Sequence, residues 1–259
     1  MGRALIGLIL ATLLATLPPP AAVAAASELE ARLASWPDWR LPAPLAPPGQ
    51  RDLRYPDWFA GDWQVTAQAT RPEAARPETG QPETDRHETG EATLSYKVRF
   101  SGDGHGAVVG ERAANAAAVG RALMGDALLQ VRDDPANPNR QLARLAGGGR
   151  LESTVVARRS EVVAIEERGA PPRAGAGEAF LADELALQVL HGPGEPRVSR
   201  IETLSRFRLR HGPSGDWIEA EQWQARYPSP SEGLAARSLG GGHWRLRLDP
   251  LPSGSARAN

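Results

Sequence analysis

The strongest pattern along the chain has period two. Trp63, Val65, Ala67 and Ala69 alternate with Gln64, Thr66, Gln68 and Thr70, and Leu94, Tyr96, Val98 and Phe100 alternate with Thr93, Ser95, Lys97 and Arg99. Ile201, Thr203, Ser205, Phe207 and Leu209 alternate with Arg200, Glu202, Arg206 and Arg208, and Trp244, Leu246 and Leu248 with His243, Arg245 and Arg247. Such alternation predicts strands with one buried face. Further strands are expected over 107–112, 141–145, 151–158, 161–167, 181–190 and 217–226, separated by Gly-rich turns such as Gly102-Asp103-Gly104 and Gly147-Gly148-Gly149. Two short helices interrupt them: 116–124, capped by Asn115 and stopped at Gly125, and one from Ser229-Pro230 that runs out at Gly240. A chain with this many strands must protect its edges. The predicted fold is all-β, a single antiparallel β-barrel with one or two short helices.

The segment 217–226 does not fit a simple core. Its odd positions read Trp217, Glu219, Glu221, Trp223 and Ala225, and its even ones Ile218, Ala220, Gln222, Gln224 and Arg226. Whichever face turns inward carries polar groups, which a dry interior penalises by a few kcal/mol each. Two readings follow: a cavity with polar anchors, shared with Thr203, Ser205 and Phe207, or an edge strand exposed on both faces. The pair Glu219 and Glu221 does not suit a glycosidase, because i and i+2 side chains on one strand point the same way and do not flank a substrate.

Composition removes several classes. A net charge of -1 gives no electrostatic reason to bind nucleic acid, and the absence of cysteine excludes disulfides, thiolate nucleophiles and Cys-bearing metal sites. Lys97 is the sole lysine against 29 arginines, which reads as coding bias. Arg3 followed by the apolar run 4–17, with Ala22-Val23-Ala24 and Ala24-Ala25-Ala26 as small-x-small sites, predicts an export signal over 1–26. That run is too short to span a bilayer, which takes about 20 residues, so no integral membrane protein is expected. Residues 27–52 hold Trp36, Trp39 and many prolines and show neither period; they predict an extended arm whose tryptophans pack on the main domain, 53–252. The imperfect charged repeat over 71–90 and the tail 253–259 lack large apolar residues and predict a disordered insertion and a disordered end.

No Gly-x-Ser-x-Gly elbow and no phosphate-cradling loop before a helix occurs, so a hydrolase is disfavoured and no cofactor is expected. The five histidines are scattered, mostly in or beside turns, and no metal site is assigned to them. Asp133, Asp134, Asn137 and Asn139 concentrate oxygen atoms in one loop, and Arg140 follows. Asp-Pro and Asn-Pro are ordinary turn formers, so these residues read as a turn and, through Asp134, Asn137, Asn139 and Arg140, as a candidate exterior surface.

Two resemblances add to this. Tyr55-Pro56-Asp57-Trp58-Phe59-Ala60-Gly61-Asp62-Trp63 places a Gly-x-Trp at the start of the first long strand. This resembles the lipocalin and wider calycin signature, which implies a tryptophan plugging the closed end of a barrel beneath an arginine of the last strand, here Arg245 or Arg247. The succession of that run, Asn115 to Gly125, Asp134-Pro135-Ala136-Asn137-Pro138-Asn139-Arg140-Gln141 and Ile201-Glu202-Thr203 resembles an uncharacterised exported family of cyanobacteria and plastids. That resemblance implies the periplasm or thylakoid lumen and carries no activity.

The expected function is non-enzymatic binding of a small, mostly apolar ligand of lipid or pigment type, with Thr203, Ser205, Phe207 and Trp223 lining the cavity and Gly61, Trp63 and Arg245 as the barrel signature. The alternative is a structural or assembly factor with a filled barrel that meets a protein partner through its exterior.

Overall fold

A computed structural model describes residues 27–70, 93–165 and 177–252. The segments expected as an export signal (1–26), an insertion (71–90) and a tail (253–259) lie outside the described residues. In chain order the elements are α1 (Glu28–Ala34), β1 (Arg40–Leu41), β2 (Arg54–Tyr55), β3 (Gly61–Thr70), β4 (Thr93–Gly102), β5 (Val108–Gly110) and α2 (Arg112–Met124). There follow β6 (Leu128–Asp134), β7 (Asn137–Leu145), β8 (Arg150–Ala164), β9 (Glu178–His191), β10 (Arg197–Gly212), β11 (Gly215–Tyr227), β12 (Ala236–Arg237) and β13 (Gly241–Pro250).

Eleven strands form one antiparallel sheet in the order β2-β5-β4-β3-β13-β11-β10-β9-β8-β7-β6. The last strand, β13, is the seam that joins the β2–β5 portion to the β6–β11 meander. The seam is tight: a Cβ at Gly241 would lie 1.9 Å from the Gln224 carbonyl oxygen, so only glycine lets β13 start against β11.

The sheet is curled, and its aromatic rings show how far. Phe59 packs against Phe100 of β4 at 4.9 Å and against Phe207 of β10 at 5.1 Å, so those two rings lie within about 10 Å of each other. Four strand spacings of a flat sheet would separate them by about 19 Å. The face carrying Phe100 and Phe207 is therefore concave. It holds one core, built from Phe59, Trp63, Val65, Phe100, Phe180, Ile218 and Leu248 among others.

No ladder joins β2 to β6 among the described residues, so the structure shows an open, barrel-like sheet, and closure and a calycin identity go beyond it. Helix α2 packs on both β4 and β6 and so spans the gap. Arg112 ties the same two sides, through Asp52 at 2.9 Å beside β2 and Asp133 of β6 at 3.7 Å.

The convex face has a core of its own; the N-terminal segment, expected as an extended arm packing its tryptophans on the domain, packs there and opens with the helix α1 in place of extended chain. Leu29, Trp39 and Leu41 of the N-terminal segment are buried against Ala179, Leu181, Leu204, Trp223, Ala225 and Tyr227. Ser27 caps α1 by accepting from the Glu30 amide at 3.0 Å, with Glu28 and Glu30 in the first turn, and Leu29 and Leu33 fall one turn apart facing the sheet. The segment then pairs Ala46 with Arg158 on the stretch of β8 that β7 leaves free and delivers Leu53 to the concave core.

Other expectations shift as well. Helix α2 starts at Arg112, and Asn115, expected as its cap, lies inside it, where its side chain bonds the Arg99 amide and carbonyl at 2.8 and 2.9 Å. The helix expected after Ser229 is a single capped turn, Pro230–Glu232, followed by β12. The strands expected over 151–158 and 161–167 are one strand, β8, with an irregular register between Val155 and Ala157 that leaves Val156 exposed. The two-faced polarity of 217–226 does not make an edge: β11 sits between β10 and β13, and its Ile218 and Ala220 enter the concave core while Trp223 and Ala225 enter the convex one.

Candidate functional site

Register decides which predicted site residues meet. Ser205 is opposite Gln222, Thr203 opposite Gln224 and Phe207 opposite Ala220; Gln222 is in turn opposite Trp244, and Ala220 opposite Leu246. Directly opposed residues share a face, and Phe207 and Leu246 pack on the concave core, so Thr203, Ser205 and Phe207 lie together on the concave face. Trp223 does not join them. It is opposite Leu204 and His243 on the convex face, where its ring stacks on His243 at 4.8 Å beneath Arg206. The single cavity expected around Trp223 is thus replaced by a concave surface to which Trp244 contributes. Only the pairing of β11 with β10 and β13 reveals this, since parity alone leaves both faces of β11 polar.

The concave surface changes character along the strands. At one end Tyr55, Phe59, Phe100, Phe180 and Phe207 form a continuous aromatic wall with centroid separations of 4.7 to 6.2 Å. Further along, Ile201, Trp244 and Leu246 are half-buried and interleave with half-buried Thr203, Gln222 and Gln224, while Ser205 is buried. Beyond Thr203, opposite it on β9, Glu184 accepts from Arg158 at 2.6 Å, and Arg158 also donates to the Arg51 carbonyl. These two residues, with Asp52, Tyr55, Arg112 and Ser153, line a polar cavity of about 160 Å3. Burial, reinforced by Glu184, pushes the Tyr55 phenol well above its ordinary value, so it stays a neutral donor.

A second constellation lies under the N-terminal segment and was not visible as a motif. Arg32 of α1 grips Glu202 through two bonds, 2.8 and 2.7 Å, and Tyr227 donates its hydroxyl to Glu202 at 2.5 Å. Beside them Asp183 is fully buried, and neither of its oxygens accepts a hydrogen bond. Burial first, then the charge of Glu202, push the Asp183 carboxyl up to about 8; once protonated it donates toward Glu202. Asp183 and Glu202 have no exposed surface, so the pair cannot touch a substrate. Its work is to clamp α1 onto β10.

The remaining predicted residues are structural in their contacts. Gly61, at φ +130°, opens β3 in a conformation other residues resist, and Trp63 is buried with its indole donating to the Phe59 carbonyl at 2.7 Å. Arg245 does not cover Trp63. Trp63 is opposite Pro250, whereas Arg245 is opposite Gln68 and Glu221 on the convex face, as is Arg247 with Thr66 and Glu219. Asp134, Asn137, Asn139 and Arg140 lie at the β6–β7 turn, where Asn137 and Arg140 remain partly exposed. Asp134 and Asn139 are buried; Asp134 accepts from the Ala136 amide and from Arg140, and Asn139 donates to the Gly49 carbonyl at 2.6 Å. The Ala136 amide and then Arg140 hold the Asp134 carboxyl below its usual range.

Among the described residues no group of three His, Asp or Glu side chains is placed to hold a metal ion, and no helix is long and apolar enough to cross a membrane. No curated protein and no solved structure matches the chain. A family model matches residues 47–240, which leaves out α1 and the seam strand β13 that complete the two cores. On that match the chain belongs to the family described as a domain of unknown function, DUF6816.

Proposed function

We propose that the protein binds a small, mostly apolar molecule on the concave face of its sheet without chemical conversion. One observation carries the reading: half-buried Ile201, Phe207, Trp244 and Leu246 share that face with Thr203, Gln222 and Gln224, next to an aromatic wall that is already packed. Partly exposed apolar side chains offer contact area to a ligand, and a few interleaved hydroxyl and amide groups fix its orientation. The Arg158–Glu184 end extends this choice to ligands with a polar head. Native mass spectrometry of the protein purified from its own compartment tests the proposal. A co-purifying lipid- or pigment-type molecule lost on Trp244→Ala is the expected result. A protein that carries nothing and binds no fatty acid, isoprenoid or carotenoid sinks it.

The compartment is part of the same proposal. The Arg3 flank, the 4–17 apolar run and the small-residue sites support export to a periplasm or thylakoid lumen. A cellular protein beginning at Ala25 or Ser27 is expected, and one retaining residues 1–17 contradicts it.

A further inference from the structure

The polar cavity of about 160 Å3 lies at the gap in the sheet, where Tyr55 of β2 and Arg112 of α2 meet Asn139 of β7, Ser153 and Arg158 of β8 and Glu184 of β9. Register connects it to the concave surface. Arg158 is opposite Glu184, Glu184 opposite Thr203, Thr203 opposite Gln224, and Gln224 opposite Gly242, two residues before Trp244. Directly opposed residues share a face, so Glu184 and Trp244 stand on one face three strands apart, about 14 Å along the sheet. Tyr55 makes a second connection. Its ring belongs to the aromatic wall, 4.7 Å from Phe100, while the charges that act on its hydroxyl are those of Glu184, Arg158 and Asp52, all in the cavity wall.

The charged side chains of the lining pair off within it. Arg112 holds Asp52 at 2.9 Å and Arg158 holds Glu184 at 2.6 Å. Arg112 also faces Asp133 at 3.7 Å, and Arg158 donates to the Arg51 carbonyl at 2.9 Å. An ionic head would leave water here without an unpaired counter-charge, which is unfavourable. The wall offers hydrogen bonds instead. Asn139 is only 5% exposed; its amide nitrogen donates to the Gly49 carbonyl at 2.6 Å, which fixes the orientation of the amide, and its oxygen accepts from nothing among the described residues. A buried acceptor left without a donor is costly, and few are found in folded proteins. Asn139 is thus an acceptor in need of a donor, the Tyr55 phenol is a donor, and Ser153 serves in either sense. A hydroxyl group, which donates and accepts at once, matches all three.

From this lining we infer that the cavity receives the head of the ligand bound on the concave face, and that this head is uncharged and carries hydroxyl groups, as in a monoacylglycerol. The inference rests on the apolar-ligand reading and narrows it from fatty acids to neutral, hydroxylated lipids. A volume of about 160 Å3 is below that of whole-ligand sites, so the cavity takes the head and leaves the tail along the concave face. The test is tryptophan fluorescence titration of the delipidated protein at pH 8 with 1-monodecanoylglycerol, methyl decanoate and decanoic acid, each below its aggregation concentration. The three share one acyl chain and differ in the head. The glycerol ester should saturate at one per chain and bind about tenfold more tightly than the other two, since its hydroxyls alone both donate and accept. Tyr55→Phe keeps the ring in the aromatic wall and removes the hydroxyl; it should reduce the preference for the glycerol ester over the methyl ester about fivefold. Ser153→Ala, at a half-buried position, should reduce it in the same direction and carries the test if Tyr55→Phe does not fold. Equal affinity for the three, a preference for decanoic acid, or a preference that both variants leave intact overturns the inference while the apolar-ligand reading stands. Binding of none of the three overturns it too, and saturable binding of a carotenoid in that case keeps the apolar-ligand reading.

Discussion

Replacing Arg32 with methionine probes the clamp that makes the N-terminal segment part of the fold. Glu202 has no exposed surface, and Arg32 supplies its two charge-assisted bonds at 2.8 and 2.7 Å; its remaining partner is the Tyr227 hydroxyl. Removing one partner of a buried ion pair costs about 3–5 kcal/mol, because the survivor keeps its desolvation penalty without compensation. Asp183 alongside adds a second acidic group to the same pocket. Arg32→Met should therefore lose at least about 3 kcal/mol in urea unfolding at pH 8. Replacing both charges, Arg32→Met with Glu202→Gln, should recover much of that loss, since no unpaired Glu202 carboxylate is then left buried. The reasoning fails if the single variant loses under about 1 kcal/mol, or if its loss is the same in the Glu202→Gln background, because the cycle would then show no coupling.

Three further outcomes follow from the packing. Asp183 titrates near 8 in the folded chain and near 4 when unfolded; between these values the folded state holds the extra proton, so stability falls as pH rises, by at most about 1.4 kcal/mol per unit, and levels off above. Asp183→Asn should flatten that slope in unfolding curves taken from pH 5 to 8, and an unchanged slope would assign it to other groups. Trp39, buried with its indole donating to the Arg32 carbonyl at 2.7 Å, should cost about 3–5 kcal/mol on truncation to alanine, and half-buried Trp36 clearly less; equal losses would contradict the burial. Gly241→Ala should destabilise by about 1–3 kcal/mol by forcing β13 away from the Gln224 carbonyl, and an unchanged thermal midpoint would show that the seam yields freely.

How much of this was legible depended on whether an element faces one core or two. Strands β3, β4 and β13 bury a single face, and their alternation announces them and their inward residues correctly. Strand β11 passes between both cores, so neither face is apolar throughout, and Trp223 could be assigned to a side only through its register with His243 and Leu204. Strand β6 escaped notice because its two end residues alone are buried. The N-terminal helix carried its signals, Ser27 and the Leu29–Leu33 spacing, in a segment too short for periodicity to stand out. The buried Arg32–Glu202–Asp183–Tyr227 group is assembled from residues up to 195 positions apart, and no local pattern contains it.

The account's central claim is that the two faces have different work, the convex one closed over Trp223 and the concave one open at Trp244. Tryptophan fluorescence during titration with the co-purifying molecule, or with the tightest binder from a fatty acid, isoprenoid and carotenoid panel, tests this directly in Trp244→Phe and Trp223→Phe variants. The account predicts that the saturable change disappears in Trp244→Phe and persists in Trp223→Phe. A change that vanishes in Trp223→Phe and survives in Trp244→Phe would place the ligand on the opposite face and contradict it.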